Sequence, residues 1–156
     1  FLEGGGVPIP DPTPFLADRL APEGVLGRHR PTDEERVDAR YGLELARGIG
    51  KLDLGQTVVV KDRVALAVEA RGGTAAGTRR GGELAKNGGF VVAKAGKPGQ
   101  DRRFDLPAVG PDTVETIRAA GGRVLAVEAG ATLVMDLEEM VAKADRAKIV
   151  LLGVRP

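Results

Sequence analysis

The sequence predicts an α/β domain, a single layered unit with a mixed β-sheet flanked by helices. Three observations carry this. From Gln56 onward, β-branched apolar runs alternate with segments of helical periodicity, the order of a layered fold. Turn signals such as Asn87-Gly88-Gly89 and Gly121-Gly122 separate them. At 156 residues, with 42% hydrophobic and 29% charged residues, the chain can bury roughly two-thirds of its extended surface in one core.

Gly4 to Pro14 is rich in glycine and proline, so residues 1–14 read as a connector and 15–156 as the domain. The chain begins with Phe1 rather than methionine, which reads as part of a longer protein. A short helical piece carries Phe15, Leu16 and Leu20, and Ala21 to Gly27 turns the chain. Thr32 and Glu35 have the spacing of a capping box, with Val37, Tyr41, Leu45 and Ile49 recurring every fourth residue, so a helix ends near Gly50. Glu34 to Arg36 and Asp38 to Arg40 read as its wet face. Gln56 to Lys61 and Val64 to Glu69 form a predicted hairpin, although its Lys61-Asp62-Arg63 link lacks a glycine.

Thr74 to Lys86 predicts a helix weakened by Gly77, Gly81 and Gly82, so packing must stabilise it. At least one of Arg79 and Arg80 is expected to face solvent. A strand follows over Gly89 to Lys94, then a long loop, then a helix capped by Asp112 and Glu115 with Val114 and Ile117 inside. Arg123 to Glu128 is the next strand. Asp136 and Glu139 repeat the capping pattern before a helix with Leu137, Met140, Val141 and Ala144 on one stripe, and Ile149 to Val154 ends the sheet.

Composition removes several function classes. A net charge of +1 and 3% aromatic residues give no case for nucleic acid. Without cysteine there is no thiolate zinc site, and the lone His29, in a basic turn, builds no histidine cluster. A hard cation on oxygen ligands is the metal reading left. No stretch approaches the roughly 18 apolar residues of a membrane span, so a cytoplasmic protein is expected.

The stretch from Lys94 to Gly110 is the candidate site. It leaves an apolar strand and carries Lys94, Lys97, Gln100, Asp101, Arg102, Arg103 and Asp105. Lysine and arginine bind phosphate oxygens, and magnesium takes one or two carboxylates beside water and phosphate. The same residues also read as a solvated salt-bridge network pinning a proline-rich turn. A second candidate is an internal echo, Leu66-Ala67-Val68-Glu69-Ala70 and Leu125-Ala126-Val127-Glu128-Ala129, followed by Thr74 and Thr132. Ligands of open α/β sheets sit beyond carboxyl strand ends, so Glu69 and Glu128 can share a crevice with the loop. Coincidence, or each glutamate capping amides of its own turn, explains the echo as well.

Taken in order, LAPEGVLG, GLELARGIGKLDLGQTVVV, LAVEA, KPGQDRRFDLPAVGPDTVE and LAVEAGAT resemble the carboxyl-terminal domain of the magnesium-dependent UDP-2,3-diacylglucosamine pyrophosphatases of bacterial lipid A synthesis. These are unrelated to calcineurin-like phosphoesterases, and the match covers nearly everything after Leu20. The resemblance implies hydrolysis of the pyrophosphate to UMP and 2,3-diacylglucosamine 1-phosphate, Mg2+ as cofactor, and a missing amino-terminal domain. A lipid substrate further implies a cytoplasmic enzyme peripheral on the inner face of the inner membrane, and a homodimer stands separately among the expected partners. By match, Asp101 and Asp105 become catalytic candidates, with Asp101 as a metal ligand. Thr74, Lys94, Lys97, Gln100, Arg103, Glu69, Glu128 and Thr132 become substrate-binding candidates.

One departure stands out. Gly72-Gly73-Thr74-Ala75 follows the first LAVEA block, and Ala75 occupies the place of the family's essential aspartate while Gly72 replaces a glutamate. Alanine neither ligates a metal nor accepts a proton. An engineered trap and natural divergence both account for it. The resulting functions are a pyrophosphatase domain, inactive alone, a non-catalytic phosphate or glycolipid-binding module, and a structural dimerisation domain.

Overall fold

The computed structural model describes residues 16–97 and 106–155, so the connector and the 98–105 part of the loop lie outside the described residues. A 3-10 turn, Ala17–Arg19, precedes β1 (Gly24–Val25) and α1 (Asp33–Lys51). Then come β2 (Thr57–Lys61), β3 (Val64–Val68), α2 (Gly73–Leu84), β4 (Val91–Lys94) and β5 (Ala108–Val109). The chain closes with α3 (Pro111–Ala119), β6 (Val124–Glu128), β7 (Leu133–Val134), α4 (Leu137–Ala147) and β8 (Val150–Val154).

The main sheet is mixed and six-stranded, in the order β1-β8-β6-β4-β2-β3, beside a two-stranded β5-β7 sheet. β4, β6 and β8 are parallel, and β2 runs against both β3 and β4. It follows that β3, β4, β6 and β8 point their carboxyl ends to one edge, where β2 begins. Alternation of side chains splits the core into two layers. Val58, Val60, Val91, Ala93, Val124 and Ala126 meet α1 on one face. Val59, Val92, Leu125, Val127 and Leu151 meet Phe90, Ile117 and Met140 on the other, under α2, α3 and α4.

The expected capping box is present at α1. Glu35 N donates to Thr32 Oγ1 at 3.1 Å, and Thr32 N donates to Glu35 Oε2 at 2.9 Å. The buried stripe runs through Ala39, Leu43, Ala46 and Gly50, beside the expected one, because small residues let the helix sit close on the sheet. Asp38 is a correction to the wet-face reading. It is buried and accepts from Asp62 N at 2.8 Å and Arg63 N at 2.7 Å. The glycine-free hairpin turn is thereby explained. Asp62 and Arg63 stand at φ 53° and 59°, a conformation usually left to Asn-Gly, and the Asp38 carboxylate receives both turn amides.

α2 also behaves as its glycines suggest. A Cβ on Gly81 would lie 2.4 Å from Val59 Cγ1, and one on Gly82 would lie 2.5 Å from the Ala120 carbonyl oxygen. The residues that lower its propensity are the ones that let it dock. Arg79 and Arg80 are both exposed.

Other expectations need adjustment. α3 starts at Pro111 after Gly110, whose N–H donates to Thr113 Oγ1 at 3.2 Å, so Asp112 sits inside the first turn rather than capping it. Asp136 precedes α4 but makes no side-chain cap, because φ 47° turns its backbone left-handed. β1 lies within the predicted Ala21 to Gly27 turn, and β5 and β7 were not expected at all. Two-residue strands carry no readable periodicity.

Candidate functional site

The carboxyl edge gathers five of the expected residues, Glu69, Thr74, Lys94, Lys97 and Glu128. Lys94, buried at the last position of β4, donates from Nζ to Thr74 Oγ1 at 3.3 Å and to the Ala108 carbonyl at 3.0 Å. Thr74 Oγ1 donates to Glu69 Oε1 at 3.2 Å and lies 3.3 Å from Thr57 Oγ1. A hydroxyl has one proton and two acceptor positions. With its proton on Glu69, Thr74 accepts from Lys94 and Thr57 together. A buried ammonium is thus linked to a carboxylate through one threonine at the start of α2.

Glu128, at the end of β6, is the other carboxylate. Its Oε2 accepts from Gly96 N at 2.8 Å, and its Oε1 accepts from Arg47 Nε at 2.6 Å. Glu69 similarly accepts from Gln56 N at 3.3 Å. Both glutamates therefore cap amides, but those at the entry or exit of the neighbouring strand, Gln56 before β2 and Gly96 after β4, rather than of their own turn. Lys97 Nζ meets Asp53 Oδ1 at 2.6 Å, and that hydrogen bond, then the ammonium charge, hold the Asp53 carboxyl below its ordinary range. Thr132, past the end of β6, is fully buried, its carbonyl accepts from Ala21 N at 2.8 Å, and its hydroxyl has no hydrogen-bond partner among the described residues. Gln100, Asp101, Arg103 and Asp105 lie outside the described residues.

Ala75 is exposed and, with Thr74, Thr78, Asp112, Thr113 and Thr116, lines a cleft of about 190 Å³ between the first turns of α2 and α3. A carboxylate at position 75 would have room there. Asp112 is the carboxylate the cleft does contain. Sequence reading did not single out Arg47, Asp53 or Gln56 either. They come from the end of α1 and the entry of β2, and only docking of α1 brings them to the strand exits. His29 is half-buried, with Nε2 3.0 Å from the Asp145 carbonyl, and takes no part.

Among the described residues no three acidic or histidine side chains gather as a metal site. Glu69 and Glu128 already serve amides, threonine and arginine, which leaves Asp112 as the described carboxylate facing the cleft. The described donors alone do not make a magnesium site.

Such a domain belongs to the α/β class that offers ligands the carboxyl ends of its strands. Within that class its family is specific: residues 22–152 match the model described as the LpxI C-terminal domain, and the chain belongs to this family. It is 38% identical over 162 residues to the UDP-2,3-diacylglucosamine pyrophosphatase LpxI of Caulobacter vibrioides. That match takes in 99% of this chain and 58% of the relative, so the chain spans less than two-thirds of the relative's length. No helix among the described residues is long and apolar enough to cross a membrane.

Proposed function

We propose that this chain is the carboxyl-terminal part of a protein that takes UDP-2,3-diacylglucosamine at the strand-exit edge, with an amino-terminal domain completing the site. In the active form of such a protein, water attacks the α-phosphorus and the products are UMP and 2,3-diacylglucosamine 1-phosphate. The observation that carries this reading is the Lys94–Thr74–Glu69 chain of contacts beside the cleft at Ala75. A held ammonium can meet a phosphate oxygen, and a fixed donor contributes most where negative charge grows in the transition state. Magnesium, supplied to the whole protein, would add charge stabilisation on the diphosphate. Its location would be cytoplasmic, on the inner face of the inner membrane where the lipid substrate lies.

Ala75 favours a second reading for the chain as it stands, a binding module without turnover. A methyl group in that cleft has no proton to exchange. The full-length protein with Ala75 should bind UDP-2,3-diacylglucosamine yet release little UMP. Ala75→Asp should raise magnesium-dependent UMP release by about a hundredfold or more, the usual range for a positioned acid or base. The 156-residue chain should stay inactive with either residue, since misplacement by about 1 Å can cost a hundredfold. UMP release with and without magnesium decides this. Strong activity from the Ala75 form would transfer the role to another carboxylate, with Asp112 first among those described. Absence of rescue would point to a lineage that has given up hydrolysis, with Gly72 the next position to restore, and retained binding of UDP-2,3-diacylglucosamine would then favour the binding module.

A further inference from the structure

We propose that the end of α1 is a clasp that sets the exit turn of β4, with Arg47 as a positioning residue acting through Glu128. The proposal rests on reading this edge as the phosphate site and names what holds Lys97 in place there. Glu128 divides its two oxygens between Arg47 Nε at 2.6 Å and the Gly96 amide at 2.8 Å. The next residue, Lys97, is tied by its ammonium to Asp53 at 2.6 Å. Arg47 and Asp53 bracket the end of α1, so two consecutive residues of the exit turn are held from one helix terminus, one by main chain and one by side chain.

Simple core stabilisation explains this poorly. Glu128 is 7% exposed and Arg47 half-buried, and a largely desolvated ion pair gives little net stability over apolar residues of similar volume. Arg47 Nη2 is itself buried with no hydrogen-bond partner among the described residues, a further cost of this choice. What the pair does supply is direction. A guanidinium donates from a rigid plane, the carboxylate it orients is fixed on the central strand β6, and the second oxygen then fixes Gly96. Asp53 completes the grip from a left-handed backbone at φ 54°, which aspartate tolerates better than most residues.

The test uses the full-length protein, with 2,3-diacylglucosamine 1-phosphate as the calorimetric probe and amide hydrogen exchange on the ligand-free protein. Arg47→Met should weaken probe binding about tenfold when Lys97 is present, but less than about twofold in a Lys97→Ala background, the non-additivity of a shared network. Arg47→Lys should recover part of the loss. In the absence of probe, Arg47→Met should speed exchange at Gly96 about tenfold while leaving the amides of Val58 and Val92 unchanged. Equal loss of binding with and without Lys97, or unchanged exchange at Gly96, would overturn the clasp. If the unaltered protein binds no probe, the phosphate-site reading falls, and the exchange result alone decides the clasp. If Arg47→Met does not fold, Arg47→Lys carries both measurements.

Discussion

The pentapeptide Leu-Ala-Val-Glu-Ala occurs at the edge of the sheet, ending β3, and at its centre, ending β6. At the edge, Val64, Ala65 and Val68 are exposed, and Glu69 is half-buried among hydroxyls and one amide. At the centre every residue of β6 is buried, and Glu128 needs a guanidinium beside it. In both places the glutamate reaches sideways to the main chain at the entry or exit of the next strand. The shared residues thus encode a strand that ends in a lateral amide cap. Topology decides whether that cap also carries a buried charge.

The contrast breaks most clearly at Glu128. Glu128→Ala leaves Arg47 without its carboxylate and Gly96 N without its acceptor, and should cost about 2 to 4 kcal/mol in urea unfolding. Glu69→Ala, at the more open site, should cost about 1 kcal/mol. Equal losses would mean that burial does not distinguish the two caps. Thr74→Val sharpens the edge half of the comparison, since it keeps the shape and removes the hydroxyl that joins Lys94 to Glu69. We expect at most about 1 kcal/mol in stability and a roughly tenfold loss of 1-phosphate affinity by calorimetry.

The smallest effect concerns Asp53, which Lys97 holds below the usual carboxylate range, first by the hydrogen bond and then by charge. A depressed folded value stabilises above the unfolded value of about 4, and the contribution is lost as pH falls through the folded value. Asp53→Asn should therefore lower the melting temperature slightly at neutral pH and match the unaltered protein in strong acid. Melting curves from pH 7 to pH 2 test the sign. A difference that persists at the acid end would mean that the ion pair is not its source.

Much of the element order was legible in the sequence, because long segments report where helices and strands fall, although the buried face of α1 is Ala39, Leu43, Ala46 and Gly50 rather than the Val37, Tyr41, Leu45 and Ile49 stripe. α1 with its capping box, the hairpin, α2 and the three parallel strands fall where periodicity puts them. Lys94, Glu69 and Glu128 were marked at strand ends and Thr74 at the start of the following helix, and the mixed sheet brings them to one edge. Asp38 was misread because an aspartate on a helix looks solvated until a hairpin turn is laid against it. Arg47 and Asp53 were missed for a related reason: nothing in GLELARGIGKLD shows which strand exit the end of the helix will touch. β1, β5 and β7 are set by pairing with distant residues and have no local pattern to read.

The Asp62-Arg63 turn also bears on the order of folding. β2 and β3 are neighbours in sequence, so their pairing closes the shortest loop in the sheet, and such local pairings usually lead. Here both turn residues are held left-handed, and the carboxylate that receives their amides arrives on α1, more than twenty residues upstream. We therefore expect that the hairpin is not an autonomous seed. Its register is expected to lock only once α1 has collapsed onto the nascent strands, which makes the helix and hairpin one cooperative unit and puts Asp38 inside the folding nucleus.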